Sequence, residues 1–396
     1  MIKKVSVHAF SGKARSFIQQ ALLIDGERAL GLLPAAMVPA QNDSDKLYLS
    51  PGFIDSHAHV YHGATDLGIH ADRIGLKTGV HLIIDAGSAG AINYPCFRDY
   101  VMPAYRTPVK AFLNISRIGL VTKQPYHDIR TLDVDAATAM LDEDKGKYLL
   151  GIKVLSSGLI VEDKGMIPMR AALEAAGKTG SRIMAHLAEG PPSNEEMIPL
   201  LRKGDIITHC FHGRPNIAAT KRASRGHAID ERYYCLDNLM WNSDGTPIGQ
   251  VSDAISRGVL LDVGHGAGSF SSSVAAPVIA KGFREFSIST DAHIRNIDTI
   301  VHSLSYTMSK FLALGMSLEE VVSSVTVIPS IQMGIIGWCD NMLENGTLFK
   351  LKAVCQDVPE FLDSEGYRIN VSHVIEPVAI LRNARIERIS GNVFDI

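Results

Sequence analysis

The chain has 396 residues, 46% hydrophobic and 20% charged, so it can bury a sizeable core and is not a disordered polypeptide. Its formal net charge of −3 gives no electrostatic reason to expect nucleic acid or an anionic membrane as partner, which favours a small-molecule substrate. Five scattered cysteines without CxxC spacing argue against a disulfide framework and predict a reducing, cytoplasmic location.

The first 50 residues contain no targeting or membrane signal that we recognise. The segment MIKKVSVHAF has two lysines, but no apolar run follows them. The longer apolar stretch FIQQALLIDGERALGLLPAAMV is interrupted by Asp25, Glu27 and Arg28. We therefore expect neither a signal peptide nor a membrane span.

Short apolar runs recur through the middle of the chain, and helical stretches such as MIPMRAALEAAGKTG and VVSSVTVIPSIQMGIIG lie between them. The eight runs are LYLSPGFIDSHAH, GVHLIIDAGSAG, PVKAFLNISRIG, LLGIKVLSSG, RIMAHLAEG, DIITHCFHG, GVLLDVGHGAG and FSISTDAH. Repeated βα units predict an α/β fold with a parallel sheet. An open doubly wound sheet is the alternative, but eight units over about 240 residues match the span of a (β/α)8 TIM-type barrel, typically about 250 residues.

The two ends of the chain do not follow the βα rhythm. The tail carries strand-like pieces such as YRINVSHVI and PVAILRNARIERI. Because domain termini often lie close together, we expect residues 1–50 and 340–396 to pair as a small β-sandwich domain, with the barrel spanning 51–339.

Residues able to bind metal fall at the ends of the expected strands. His57 and His59 end the first strand, two residues apart and hence on one side of it, where both can reach one ion. The later strands contribute Lys153, His186, His209 and Asp291. In a barrel these ends converge on the face where active sites lie. Imidazole and carboxylate ligands together suit zinc and similar divalent metals.

Lys153 does not fit a metal site as an ordinary lysine. An ammonium group has no lone pair, and a nearby cation would repel it. An amine that has reacted with CO2 becomes a carbamate, an anion whose two oxygens can bridge two metals. The alternative is a surface or ion-paired lysine.

A single His-x-His pair is a weak signal in a chain with 15 histidines, and a lone strand-end histidine is more often a satisfied polar group than a ligand. The joint pattern is stronger, because several separate strand ends would each have to carry a ligand-type residue by accident. We therefore interpret the six residues as one metal site.

The motifs that carry this site resemble the amidohydrolase superfamily, in particular members with a PGFIDSHAHV opening and a carboxylated lysine. The pieces YHGATDLGIHADRIG, DAGSAGA, NISRIG, THCFHGRPN, GHGAGSFSSSVA and ISTDAH are similar to the narrower group of amidohydrolase/deacetylase metallohydrolases. The resemblance covers about residues 45 to 335. The chain departs from the group's pattern in GVHLIIDAG, which has His81 inside the strand, and in NGTLFKLKAV near the C-terminus.

The resemblance implies a binuclear centre, most simply of two zinc ions. In such a centre His57 and His59 bind the more buried metal with Asp291, and His186 and His209 bind the second. Carboxylated Lys153 and a hydroxide bridge both metals. Two cations lower the pKa of the shared water and polarise the scissile carbonyl. Asp291 would then be both ligand and catalytic proton shuttle.

Several residues on loops at this face are candidates for substrate binding. They are Tyr61, Ser88, Arg117, Arg214 and His265. An arginine that pairs with a substrate carboxylate is the sharper hypothesis, since its donors match that group, but an arginine that ties two loops together is equally compatible. Some relatives replace the bridging lysine with cysteine. Because Lys153 is present, we expect Cys96 to be buried packing.

The resemblance favours hydrolysis of an N-acyl amide or O-acyl ester, deacetylase-like, in a small carboxylate-bearing compound. Ring opening of a cyclic amide, as in dihydroorotase or hydantoinase relatives, is the alternative. A nucleobase deaminase is less favoured, because such relatives often use one metal and lack the bridging lysine. A non-catalytic barrel is disfavoured because no ligand is lost. Relatives commonly assemble, so a homo-oligomer is possible.

Overall fold

Eight parallel strands form the larger sheet of this computed structural model, which describes residues 2–37, 46–213, 238–355 and 358–389. They are β5 (Phe53–Ala58), β6 (Val80–Gly90), β7 (Val109–Asn114), β8 (Leu149–Leu155), β9 (Arg182–His186), β10 (Ile206–Thr208), β11 (Leu260–Asp262) and β12 (Phe286–Ser287). They pair in chain order. Each of the eight predicted segments contains one of them, which confirms the TIM-type barrel.

The barrel closes beyond the last strand, where the chain after β12 returns to the end of β5. A parallel bridge joins Ala58 to Ala292, and the Asp291 amide donates to the His57 carbonyl at 2.7 Å. Every residue of β5 and β6 is buried, as expected for parallel strands covered on both faces.

Helices cover the outside of the barrel. Those in the described part of the chain are α1 (Tyr94–Cys96), α2 (Val134–Asp144), α3 (Gly158–Val161), α4 (Ile167–Thr179), α5 (Asn194–Met197), α6 (Gly249–Arg257), α7 (Ser272–Ala280), α8 (Leu304–Ala313), α9 (Leu318–Ser323) and α10 (Val327–Met333). None of them is long and apolar enough to cross a membrane.

Helix α4 shows why the predicted helical segments fold as they do. Pro168 lies in its first turn, where no intrahelical N–H is required, and Gly180 ends it in the left-handed conformation. Met169, Ala172 and Ala176 form its buried stripe at helical spacing. The second predicted helical segment, residues 321–337, is instead divided between α9 and α10, because the chain leaves helical geometry at Thr326.

The two ends of the chain form a second, smaller barrel. Its strands are β1 (Ile2–Ser11), β2 (Ser16–Asp25), β3 (Arg28–Pro34), β4 (Tyr48–Pro51), β13 (Asn345–Ala353), β14 (His373–Arg382) and β15 (Arg385–Arg388). The order β1-β2-β3-β15-β14-β13-β4 closes through the parallel pair β1 and β4. The expected small β domain built from both termini is confirmed, and we call it the terminal barrel. Its core includes Val7, Leu22, Leu49, Leu348 and Leu381.

The cysteines differ from expectation at one position. The four within the described residues, Cys96, Cys210, Cys339 and Cys355, are free thiols, while Cys235 lies outside those residues. The expectation that Cys96 is buried packing is wrong. Helix α1 directs Tyr94 into the core instead, and this leaves Cys96 exposed.

Candidate metal centre

The six predicted ligands line one cavity of about 470 Å³ at the carboxyl ends of the barrel strands. His57 and His59 lie at the end of β5, Lys153 lies in β8, and His186 ends β9. His209 and Asp291 follow β10 and β12. The structure therefore brings together side chains from five strand ends that are far apart in sequence.

Asp291 lies at the middle of the group. Its Oδ1 is 3.4 Å from His57 Nε2 and 3.2 Å from His59 Nε2. Lys153 Nζ is 3.4 Å from His57 Nε2, and the rings of His186 and His209 have their centroids 4.3 Å apart. Ligand atoms of His57, His209 and Asp291 all lie within 4.8 Å of one another, close enough for one ion to contact all three.

A hydroxyl and a buried carboxylate orient His57. The Thr208 hydroxyl donates its one proton to Asp262 Oδ2 at 2.7 Å, so its oxygen accepts from His57 Nδ1–H at 2.8 Å. Asp262 also accepts from the hydroxyls of Ser56, Ser287 and Ser289. The Nε2 lone pair of His57 is consequently left facing the cavity, which is the form that binds a metal.

His59 has a parallel arrangement. Its Nδ1 lies 3.0 Å from the Ser88 hydroxyl, which in turn hydrogen-bonds to the buried Asp85. Asp85 is fixed by the backbone amides of Val60 and Ser88 at 2.8 and 2.7 Å. His57 and His59 are thus each held through a hydroxyl by an aspartate inside the barrel.

His209 and Asp291 adopt left-handed backbone conformations, with φ of 69° and 47°. Such values are uncommon for residues other than glycine and must be maintained by surrounding contacts. The His209 ring donates from Nδ1 to the Gly264 carbonyl at 2.7 Å, which leaves its Nε2 for the cavity. The Asn296 side chain donates to the Asp291 carbonyl at 2.8 Å.

Two glycines make room for ligands. Gly87 has φ of +83°, and a Cβ added there would lie 2.5 Å from Lys153 Cβ. Gly266 has φ of +58°, and its added Cβ would lie 2.5 Å from Asp291 Oδ2. Both positions need glycine for conformation and for space.

Burial dominates the electrostatics of the cavity. It lowers the pKa of His57 to about 4, assisted by the charge of Lys153, and lowers the pKa of Lys153 to about 8. Burial opposes ionisation of Asp291, but its interaction with His57 and its hydrogen bond with His59 outweigh burial and hold the pKa of that carboxyl well below its usual range. Burial also lowers the pKa of His209, and neutral imidazoles of His57 and His209 beside an ionised carboxylate form a ligand set suited to a divalent cation.

The rest of the cavity wall comes from loops that sequence reasoning did not single out. Apolar side chains include Leu120, Leu159 and Ile160, and the cationic side chains at its mouth are Lys123 and Arg295. In the described ranges, no acidic side chain lies within ion-pair distance of these two cations. Only their place after strands β7 and β12 could have indicated them.

The predicted substrate residues lie elsewhere, and each described one has a local contact. Tyr61 donates to the Asn93 carbonyl at 3.0 Å and stacks on Phe97, while Arg117 lies 3.4 Å from Asp133. Ser88 and His265 are fully buried. None of these four lines the cavity, so their positions favour supporting roles, and their contact with substrate stays a prediction. Arg214 lies outside the described residues.

Fold and site together define a barrel hydrolase of the amidohydrolase type, and comparison with known proteins agrees. No family model matches the chain. A deacetylase of Agrobacterium fabrum is 34% identical over 326 residues, which cover 81% of this chain and 74% of the relative. A deacetylase of Brucella anthropi is 33% identical over 343 residues, covering 85% and 78%. The chain belongs to the amidohydrolase superfamily.

Two solved structures extend the comparison to nearly the whole chain. A crystal structure of a dihydroorotase is 30% identical with a TM-score of 0.77, covering 97% of both chains. A crystal structure of an adenine deaminase is 24% identical with a TM-score of 0.78, covering 96% of this chain and 98% of the other, and shows the shared fold. The protein is therefore a hydrolase of this superfamily, related to the bacterial deacetylases.

The orientation of His57 by Asp262 can be tested by Asp262→Asn. Removing the negative charge that holds four hydroxyls should loosen the imidazole and weaken metal affinity by about 10- to 100-fold, with the chain still folded. Isothermal titration of the metal-free protein with Zn²⁺ measures this. Asp205→Asn is the matched control, since Asp205 is equally buried but lies at the opposite end of the barrel, bonded to the Ile183 amide. Equal affinity in the two variants would contradict the assignment.

Proposed function

We propose that the protein is a binuclear zinc hydrolase that cleaves an N-acyl amide or O-acyl ester of a small carboxylate-bearing compound, in the manner of a deacetylase. The observation that carries this proposal is the convergence of four histidines, one aspartate and a fully buried lysine on one cavity. Such a donor set has no evident purpose as packing, because each of these polar groups is expensive to bury unless it is paired.

The donor set fits two zinc ions. His57, His59 and Asp291 would hold one ion, and His186 and His209 the other. Lys153 would contribute to both as a carbamate, formed when its neutral amine adds to CO2 and loses a proton. The environment favours this, because the amine is buried and its only hydrogen-bond contact within the described residues is the long one to His57 Nε2.

Bound zinc would polarise the substrate carbonyl and lower the pKa of a water in the cavity. The chain's own part is to position and to move protons. Asp291 lies at the centre of the group and can accept the proton of the attacking water and deliver it to the leaving amine or alcohol. The apolar wall around Leu120 and Ile160 would receive the acyl group and exclude bulk water.

Lys123 and Arg295 support an anionic substrate. Both are exposed, line the same cavity as the ligands, and lie on loops after different strands. Two cations at the mouth of a cavity attract a carboxylate and can hydrogen-bond it. Like Arg117 and Arg214, whose contact with substrate stays a prediction, they are candidates to pair with a substrate carboxylate.

Deacetylation is favoured over ring opening because the curated relatives that match, including one of Enterococcus faecalis at 30% identity, are named deacetylases. Cyclic amide hydrolysis is the second candidate, supported by the 30% identity to the dihydroorotase structure. The two functions differ in product, since one releases a carboxylic acid and the other opens a ring without releasing a fragment.

A substrate screen tests the function and the two cations together. We expect acetate release from N-acetyl amino acids or O-acetyl hydroxy acids, assayed as D and L forms with Zn²⁺ present. Lys123→Met and Arg295→Met should each raise the KM for the best substrate about 10-fold or more. Neither variant should raise the KM for the neutral methyl ester of that substrate. Arg130→Met, on the same loop as Lys123 and paired with Asp128, is the control. Turnover of dihydroorotate without acetate release would favour ring opening instead.

Lys153→Ala tests the bridging role. The variant should lose most of its bound metal and activity, because two cations would face each other without the bridging anion. Metal content is measured by elemental analysis after dialysis, and a short carboxylate such as propionate is expected to restore part of it. Lys178→Ala, at an exposed lysine of α4, is the control. A Lys153→Ala protein with two metals and full turnover would eliminate the proposed bridge.

Asp291→Asn tests the proton shuttle. The amide is nearly isosteric but does not accept a proton, so kcat should fall by about 100- to 10,000-fold while the fold is kept. Steady-state kinetics together with metal analysis and circular dichroism separate loss of the shuttle from loss of metal or of structure. Near-normal turnover in this variant would contradict the role.

A further inference from the structure

Lys310 is a second fully buried lysine, on α8 behind the metal centre. Its Nζ donates to His265 Nε2 at 2.9 Å, to the Ile300 carbonyl at 2.9 Å and to the Leu362 carbonyl at 2.8 Å. An ammonium has three N–H donors, so this group is fully satisfied. All three acceptors are neutral.

Such a group is an unusual way to fill a core position. Among the described residues, no carboxylate lies within ion-pair distance of Lys310, and burial lowers its pKa to about 7. A methionine of similar volume would bury no charge and needs no acceptors. The lysine therefore has a purpose other than packing, and its three partners indicate what that is.

The first partner, His265, belongs to a segment that lies between two metal ligands. The Gly264 carbonyl accepts from His209 Nδ1 at 2.7 Å, and Gly266 lies directly against Asp291. His265 Nδ1 lies 3.0 Å from the Gly266 carbonyl, so this nitrogen carries the proton and Nε2 needs a donor. Lys310 is that donor, and it holds residues 264–266 from behind.

The second and third partners belong to other segments. Ile300 lies in the helical turn Ile297–Val301, and its amide donates to the Asn296 carbonyl. The Asn296 side chain in turn donates to the Asp291 carbonyl. Leu362 lies in the connection between β13 and β14 of the terminal barrel. The neighbouring Ser364 hydroxyl oxygen lies 3.0 and 3.1 Å from the carbonyl oxygens of His265 and Gly266, and its one proton is shared between them.

We propose that Lys310 is a positioning residue, whose ammonium clamps the loop after β11, the loop after β12 and the terminal barrel's connection so that His209 and Asp291 are held in place for metal binding. The inference rests on the proposed function, since it concerns the same metal centre. Lys310 itself does not reach the cavity, and it acts through His265 and the backbone of residues 264–266.

The test uses the full chain with Lys310→Met and His265→Phe combined. This double variant removes the Lys310–His265 contact from both sides and keeps the stacking of residue 265 on Phe270, so only the Ile300 and Leu362 carbonyls lose a donor and the chain should fold with a modestly lower melting temperature. We expect Zn²⁺ affinity, measured by competition with a chromogenic chelator in bicarbonate buffer, to fall about 10-fold or more. The kcat should fall by a similar factor, with a smaller change in KM.

The single variants provide a thermodynamic cycle. Lys310→Met should weaken zinc binding about as much as the double variant does, whereas His265→Phe should weaken it less, because the ammonium then still holds the Ile300 and Leu362 carbonyls. Lys310→Met alone is also expected to be less stable, since it leaves His265 Nε2 buried without a donor. A double variant that folds, binds zinc and turns over like the parent overturns the clamp.

Gln332→Met is the matched control. Gln332 is also a buried polar residue on an outer helix, and it donates to β11 at the Leu261 carbonyl, below the loop. The Gln332→Met variant should change only the melting temperature. A loss of zinc affinity in this control equal to that of the double variant would also overturn the proposed role of Lys310. A parent chain that takes up no zinc at all overturns the proposed function instead, and this is seen before any variant is compared.

Discussion

Closure of the large barrel is the constraint on which the site depends. The chain after β12 meets the end of β5 where the Asp291 amide donates to the His57 carbonyl. Alongside this bond, the His59 amide donates to the Ala292 carbonyl. That junction places ligands from opposite ends of the barrel sequence side by side, although more than 200 residues separate them. A sheet left open between β5 and β12 would keep His57 and Asp291 apart, so the fold and the centre form together.

Closure places the ligands, but buried polar groups orient them. Asp262 and Asp85 lie inside the barrel, each accepting from a hydroxyl that in turn accepts from a histidine. Desolvation raises the pKa of Asp85, whereas for Asp262 the hydrogen bonds from the surrounding side chains outweigh desolvation and lower the pKa. The interior of this barrel is therefore a hydrophobic core that also contains polar groups, and these orient the side chains at the carboxyl ends of the strands. Removing one of the histidines would leave its hydrogen-bonding partner in this network unsatisfied.

The sequence predicted the barrel and the convergence of the six candidate ligands because both follow from local patterns. Each strand is an apolar run, and a ligand such as His186 or Asp291 follows directly. Lys310 could not be found in this way, since in LSYTMSKFLA it reads as an ordinary exposed helix position, and its burial depends on the terminal barrel's connection. Lys123 and Arg295 lie on loops without periodicity. Asp262 did have a signal, as a carboxylate within the apolar run GVLLDV.

The two buried lysines differ in a way that supports their separate roles. Both are fully buried, and burial lowers the pKa of each. Lys310 has three neutral acceptors within 2.9 Å, enough to keep an ammonium group in the core. Within the described residues Lys153 has one hydrogen-bond contact, at 3.4 Å to an imidazole nitrogen whose lone pair faces the cavity. An ammonium at Lys153 would therefore leave buried donors unsatisfied, whereas a carbamate coordinated to two cations would have its charge compensated. The surroundings of Lys310 therefore suit a structural ammonium group, whereas those of Lys153 support the carbamate proposed above.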